Sequence, residues 1–573
     1  MLKTLEKKWK INKALPERFF KEHKNISRIF LQLLFNRTVF SIKDSRKKRE
    51  EKIRNFLYPS YEDLFDPVGI KDLTKATKRI QQAIKHKEPI AIFGDYDADG
   101  VTASSVVYEM FNFFGIKPLV YIPHREKEGY GLNSEAIKRI ASKKIKLLVT
   151  VDCGIRNFKE IEEANKLGID VIITDHHEPS SRIPKAFAVI NPKRKDCKYQ
   201  FDQLAGVGVA FKLAQGVIRL FQSKDKGEVF LKWLLDLVAI GTIADCVPLI
   251  GENRTLAKFG LIVFSKTRRI GIIELKRRAK NGNGSDLDFF IIPRINAVGR
   301  LDHADLAFLL LTTQSKIEAF KIVNRVEDLN IKRREVTDRI LKEAREEIES
   351  FLDDKNIIIL ANKDWPSSVL GIVAGRLAEE YKRPVLIVEK GIEFSKGSGR
   401  SYKGFDINES LQSMSHLFEK VGGHKQAVGF TYRTKNHEII KSQLIENTDN
   451  VIVGSIEDFY EIDVEIKPEE ISPLFYKELQ NFAPFGKSNP TPTFLMEKVN
   501  ITSKRLVGSN NHLKMNLEKN NKKFEGIAFG KGEWDNNLQE GDKVDIIFKI
   551  EENKFFGFPS IQLRILDLNL SNG

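Results

Sequence analysis

The sequence predicts an α/β protein. It has a parallel-sheet domain, a smaller α/β domain reached through a long helix, and a small β-barrel at the C-terminal end. Three observations carry this. Short apolar runs alternate with helical patterns between residues 89 and 190. Residues 312–352 contain no Gly or Pro and keep an amphipathic repeat. From about 451 the texture changes to short strand-like runs separated by Asn, Gly and Lys clusters. With 573 residues, several domains are expected, because single cores stop growing near ~250–300 residues.

The chain opens on a basic segment, assigned to 1–60. Its first fifty residues hold fifteen Lys and Arg against five acids, which is +10 of the whole chain's +16. A solvated basic face and a nucleic-acid contact both fit that excess. A parallel-sheet domain is expected over 61–311. Its strands are read at 89–93, 119–122, 147–151, 171–174 and 188–190, with helices over 102–114 and 134–142 and another before 171. Such short, wholly apolar runs fit a sheet buried on both faces, where ligands bind beyond the carboxyl ends of the strands. The apolar stretch 230–250, interrupted by Lys232, Asp236 and Asp245, reads as a buried helix and strand rather than a membrane span.

Over 312–352, apolar residues at Ile317, Phe320, Val323, Val326, Val336, Ile340, Ala344 and Ile348 predict one long connecting helix, or two nearly continuous ones. A second α/β domain fits 353–450, with strands at 356–360 and 384–388 around a helix at 369–381. Over 451–573, runs at 494–502, 512–517, 523–529, 543–550 and 561–567 suggest a five-stranded OB-like barrel. Three cysteines, Cys153, Cys197 and Cys246, are too few for a disulfide framework, so a reducing, cytoplasmic setting is expected and no membrane partner.

The chemistry lies on the sheet rim. Asp95-Tyr96-Asp97-Ala98-Asp99-Gly100 follows the first strand, and carboxylates alternating in an extended segment would face one side and repel unless cations sit between them. Oxygen ligands suit Mg²⁺ or Mn²⁺. A calcium loop of the EF-hand kind is the rival, but the preceding strand and the register of Glu109 do not fit it. Asp152 ends another strand, Asp175-His176-His177 a third, and Asp245 closes an apolar run where an unpaired acid is costly. Together they offer enough oxygen and nitrogen ligands for two ions about 3.5–4 Å apart, the arrangement of two-metal phosphoester hydrolysis.

These motifs, in this order, closely resemble the DHH phosphoesterase family, and within it the single-strand-specific exonucleases. The resemblance rests on Gly94 to Gly100, Val151-Asp152-Cys153-Gly154, Thr174-Asp175-His176-His177 and Gly241-Thr242-Ile243-Ala244-Asp245. Asn296-Ala297-Val298-Gly299-Arg300, Gly422-Gly423-His424 and Pro484-Phe485-Gly486 with Asn489-Pro490 extend it over nearly the whole chain. It implies that Asp97, Asp99, Asp152, His176 and Asp245 bind two divalent ions, Mn²⁺ or Mg²⁺, with Asp95 a direct or supporting ligand. His177 would sit beside the scissile phosphate, with Asp175 orienting a neighbouring imidazole.

Arg125, Arg300, Ser398 and Arg400 would hold the substrate, with Arg125, Ser398 and Arg400 on its 5′ phosphate, and His424 would contact a backbone phosphate. The implied activity is 5′→3′ hydrolysis of single-stranded DNA to 5′ mononucleotides in repair and recombination, by a monomer fed by a helicase and a single-strand-binding protein. A phosphodiesterase for short oligonucleotides or cyclic dinucleotides, and a non-catalytic DNA-binding relative, are the alternatives. The long basic segment and terminal barrel argue against the first, and the intact acids against the second.

Two departures stand out. Pro366 and Ser368 replace the family's usual His and Gly, with Ser367 or Ser368 the candidate substitutes for that His. Val428 stands where Ala is usual and is expected to tighten helix packing. Phe555 and Phe556 are candidates for base stacking or for the core of the barrel, with at least one of them expected in the core.

Overall fold

The computed structural model describes residues 8–221, 224–278, 287–350, 356–402, 404–451, 459–553 and 560–571. The chain divides into two compact units. One comprises Met1–Phe65, Cys246–Phe259 and Glu457–Gly573, the other Asp66–Asp245 and Gly260–Ile456. Among the described residues, no helix is long and apolar enough to cross a membrane.

The larger unit holds two sheets. The first is parallel, in the order Leu119–Tyr121, Ile90–Gly94, Leu147–Val151, Asp170–Thr174, Ala188–Ile190. Ile90–Gly94 and Leu147–Val151 are buried at every position, because helices cover both faces. The helix Ala98–Phe113 follows Ile90–Gly94, Ser134–Ser142 precedes Leu147–Val151, and Phe158–Lys166 precedes Asp170–Thr174. The stretch 230–250 holds no strand: the helices Lys224–Trp233 and Leu235–Ala244 fill it, and Asp245 is the C-cap of the second. An apolar run cannot by its hydrophobicity distinguish a buried strand from a buried helix, and here the run is long enough for a helix.

One unbroken helix, Lys316–Glu349, leads into the second sheet. That sheet runs in the order Phe418–His424, Ala427–Arg433, Phe394–Arg400, Val385–Glu389, Ile358–Asn362. Its helix Ser367–Tyr381 packs on Lys316–Glu349 through Ile340, Ala344, Val369 and Val373. Trp365, 1% exposed, locks the junction by donating from Nε1 to Glu343 at 2.6 Å. Val428 lies in a strand, not a helix, with its side chain against the Gly399 backbone. It therefore tightens sheet packing.

In the smaller unit, strands Phe494–Val507, His512–Lys519, Lys522–Ala528, Ser560–Leu570 and Lys543–Asn553 close into a barrel, the last pairing with the first. Phe555 and Phe556 lie outside the described residues. The basic segment is not a separate arm. Its helices Glu17–Glu22, Arg28–Asn36 and Arg46–Leu57 send Phe19, Phe30, Leu33, Leu34 and Phe56 into the barrel's own core. Part of its charge is structural: Arg37 is buried against Asp463 and Asn489, and Arg49 pairs with Glu22.

Candidate metal centre and phosphate pocket

The strand Ile90–Gly94 delivers Asp95 to the rim, and the chain then turns at once into the helix Ala98–Phe113. The extended acidic segment expected from sequence is therefore absent. Asp97 caps the helix, accepting from the Asp99 and Gly100 N–H groups at 3.0 Å, and Asp99 sits in its first turn. Asp99 instead accepts from the N–H groups of Gly206 and Val207, at 2.7 and 2.9 Å, where the helix Gly206–Phe221 begins. Asn296 holds the turn by accepting from the Ala98 N–H at 3.0 Å.

Asp152 follows its strand with φ of 59°, a left-handed conformation costly for a residue with a side chain. The twist leaves its carboxylate in the centre. Ligand atoms of Asp95, Asp97 and Asp152 form one group within 4.8 Å, those of Asp152, His176 and His177 a second, and those of Asp99, His176 and Asp245 a third. His176 Nε2 lies 3.2 Å from Asp152, 3.5 Å from Asp245 and 3.9 Å from Asp99. Asp152 is thus shared between the acidic group and the histidine group. Asp245 ends a helix, where the macrodipole disfavours an acid and a cation would offset it.

The electrostatics ask for cations. Burial, and then neighbouring carboxylates, push Asp95, Asp99 and Asp152 well above the usual carboxylate range. Burial and the adjacent His177 hold His176 well below the usual imidazole range, so it is neutral, as a metal ligand must be. Asp95 Oδ1, Asp152 Oδ1 and both ring nitrogens of His176 are buried without a hydrogen-bond partner. Such orphaned oxygen and nitrogen acceptors, clustered within ligand distance, fit divalent ions of the Mn²⁺ or Mg²⁺ kind.

Asp175 is fully buried and serves a different purpose. It accepts from the N–H groups of Ile155, His176 and His177 and lies 2.8 Å from His177 Nδ1. A carboxylate with this many donors only accepts, so His177 carries its proton on Nδ1. Burial would lower His177, but Asp175 wins and raises it. Tyr130 donates its hydroxyl to the Asp152 carbonyl and lies 3.2 Å from His177 Nδ1. The His424 ring faces His177 in parallel at 6.1 Å.

Beside this centre the arginines gather. Arg125 lies over the Tyr96 ring at 5.0 Å. Arg300, in the helix Ile292–Leu301, donates to the Ser368 carbonyl at 3.0 Å. Arg400 contacts Ser398 Oγ at 3.2 Å, and a Cβ on Gly371 would meet its guanidinium at 3.0 Å. The departures fall here: Pro366 is the N-cap of Ser367–Tyr381, and Ser368, 3% exposed, offers its carbonyl to Arg300. Burial, and then Arg125, Arg333 and Arg400, pull Arg300 down to about 9.

Sequence reasoning missed Tyr130 and Gly206. Tyr130 had a signal, standing between Gly129 and Gly131, both with positive φ. Gly206 is where a Cβ would come within 2.5 Å of Asp152, an approach that no local pattern announces.

A rim of this kind, on a parallel sheet joined by a helix to a second α/β domain, defines a phosphoesterase of the DHH class. Family models agree: the DHH family N-terminal domain matches residues 89–242, the DHHA1 domain 354–448 and the RecJ OB domain 462–567. The chain belongs to the RecJ family of exonucleases. It is 37% identical to the single-stranded-DNA-specific exonuclease RecJ of Bacillus subtilis, over 91% of this chain and 66% of that protein. It is 32% identical to that of Escherichia coli, over 87% of this chain and 90% of that one. The crystal structure of Thermus thermophilus RecJ with Mn²⁺ superposes with a TM-score of 0.83 at 26% identity, covering 99% of this chain and 80% of that one.

Proposed function

We propose that this chain is a divalent-metal-dependent exonuclease that degrades single-stranded DNA from a 5′ end to 5′ mononucleotides. The observation that carries this is Asp152, shared between the ligand group of Asp95 and Asp97 and that of His176. Asp95, Asp97, Asp99, Asp152, His176 and Asp245 would hold two ions. When bound, such ions supply an activated water and stabilise charge on the attacking and leaving oxygens. His177, oriented by Asp175 through Nδ1, keeps Nε2 as its remaining polar atom for the scissile phosphate, with His424 beside it. Arg125, Arg300, Ser398 and Arg400 would grip the terminal phosphate, a task suited to guanidinium forks.

The barrel and the exposed lysines of the basic segment supply salt-dependent affinity for the strand. A cytoplasmic monomer fed by a helicase and a single-strand-binding protein completes the reading. Purified protein with Mn²⁺ on 5′-labelled single-stranded, duplex and dinucleotide substrates tests it. Mononucleotide release from the long single strand is expected. Preference for dinucleotides would favour the oligonucleotide phosphodiesterase reading, and binding without cleavage the non-catalytic one.

A further inference from the structure

The parallel sheet orders the site from edge to edge. Its strands run Leu119–Tyr121, Ile90–Gly94, Leu147–Val151, Asp170–Thr174, Ala188–Ile190, and all end at one rim. The segments that follow them bring to that rim, in the same order, Arg125, Asp95 to Asp99, Asp152, His176 with His177, and Lys193. The arginines assigned to the terminal phosphate sit at the first end. Arg125 lies over the Tyr96 ring, and a Cβ on Gly299, next to Arg300, would come within 2.2 Å of the Tyr96 carbonyl oxygen. The metal-ligand groups fill the middle. Beyond His177 the rim carries cations.

Two cations gather on the residue that follows His177. Arg156 donates from Nε and Nη2 to the Glu178 carbonyl, at 3.2 and 3.1 Å, and Lys193 Nζ lies 3.3 Å from the Glu178 carboxylate. Arg156 thus spends its fork on a carbonyl, and no carboxylate lies within ion-pair distance of it among the described residues. Two cations against one acid leave this cluster positive. Lys193 is also held in place. Asn191, fully buried, donates from Nδ2 to the His177 carbonyl at 2.9 Å and accepts from the Lys193 N–H at 2.9 Å. One buried amide therefore fixes the Lys193 turn to the backbone of the histidine assigned to the scissile phosphate. The cluster acts on His424 too: burial, and then His177, Arg156 and Lys193, hold that imidazole below its ordinary range. Neighbouring strands lie about 4.8 Å apart, so the strand before Lys193 is one step past that of His177 and three steps, roughly 14 Å, from that of Asp95. Cations one step past His177, on the side away from Arg125, are placed for the next phosphate of a strand that crosses the rim.

We propose that Arg156 and Lys193 form a subsite for the phosphate that follows the scissile one, so that the strand crosses the rim with its 5′ end at Arg125 and its continuation leaving over the Ala188–Ile190 edge. This rests on the exonuclease reading and on the terminal-phosphate pocket. A 5′-phosphorylated dinucleotide carries only the terminal and the scissile phosphate. A trinucleotide is the shortest strand that carries the third. Preference for a continuing strand over a dinucleotide is thereby built into the catalytic rim itself, apart from any contribution of the barrel. Glu178 seats the two cations and, by its charge, weakens their hold on the strand.

The test measures kcat and KM with Mn²⁺ for the full chain on a 5′-phosphorylated DNA dinucleotide, a trinucleotide and a longer single strand. The unaltered protein is expected to show a lower KM for the trinucleotide than for the dinucleotide. Arg156→Gln and Lys193→Gln should each raise KM about fivefold for the trinucleotide and the longer strand and less than twofold for the dinucleotide, with kcat within about twofold on all three. Glu178→Gln should move the trinucleotide KM the other way, about twofold down, which a general loss of structure would not do. Equal effects on dinucleotide and trinucleotide would place Arg156 and Lys193 behind His177 as structural supports, and no effect would make them a solvated pair; either result overturns the subsite. Should the two Gln variants fail to fold, Glu178→Gln decides alone: a lowered KM for the trinucleotide only supports the subsite, and an unchanged or raised one overturns it. If the unaltered protein cleaves none of the three substrates, the exonuclease reading falls and the subsite with it; if it cleaves them without regard to length, the subsite alone falls.

Discussion

At the residue scale, the centre is a set of acids that the fold presses together before any ion compensates them. Asp95 is raised by burial and then by Asp97, Asp99 by burial and then by Asp245 and Asp97, and Asp152 by burial and then by Asp99, Asp97, Asp95 and Asp245. Mn²⁺ should therefore stabilise the fold by about 2.7 kcal/mol at a hundred times its Kd, seen as a raised melting temperature, and a chelator should reverse this. Asp152→Asn should weaken that response while raising the stability of the metal-free protein, because it removes the shared charge. Calorimetry with and without Mn²⁺ checks both, and an unchanged metal-free stability would count against repulsion as the dominant cost. Asp97→Ala or His176→Ala should abolish cleavage with DNA still bound. Asp175→Asn, which unseats His177, should cut kcat by ~10–100-fold.

At the element scale, close approach of helix ends to strand ends builds the site. The helix beginning at Gly206 points its first N–H groups at Asp99 and leaves no room for a side chain beside Asp152. Gly206→Ala should weaken Mn²⁺ binding by about tenfold, read by titration, although Gly206 supplies no ligand atom of its own. In the other unit, the part of the helix Gly251–Ser265 up to Phe259 is anchored by Arg254, 2% exposed. Its guanidinium reaches the carbonyls of Phe56, Asn481, Phe482, Ala483 and Pro484 and lies 4.0 Å from the Phe56 ring centroid. This explains why a segment immediately after Asp245 belongs with the barrel. Arg254→Ala would leave several buried carbonyls unpaired and should destabilise that unit by ~3–5 kcal/mol, seen as a lowered urea midpoint.

At the scale of the whole molecule, the charge excess of the first fifty residues divides into two kinds. Arg37 and Arg49 are paired inside the smaller unit, while Lys21, Lys24, Lys43 and Lys47 are exposed. Deleting residues 1–50 would remove Phe19, Phe30, Leu33 and Leu34 from the barrel core, so it would report on folding rather than on DNA. Changing the four exposed lysines to Gln keeps the core intact. If they touch the strand, the slope of log K against log salt should flatten by ~0.7 for each phosphate no longer neutralised. An unchanged slope would make them a solvated face.

Much of this architecture was legible along the chain. The alternation of apolar runs and helical patterns defined the parallel sheet, and the absence of breakers over 312–352 defined the connecting helix. The ordered motifs picked out Asp95, Asp97, Asp99, Asp152, His176 and Asp245 as one chemistry. These are local signals, because a strand buried on both faces and a helix with one wet side each write their period into neighbouring residues. What the chain does not write is which distant surfaces meet. Asp152 beside Gly206, Arg300 on the Ser368 carbonyl, and the basic segment folded into the barrel all depend on packing between segments tens to hundreds of residues apart. The same physics turned the apolar run before Asp245 into a helix and set its acid against a helix C-terminus. Hydrophobicity says that a segment is buried; only the neighbours it is buried against decide its shape and what its charged end must face.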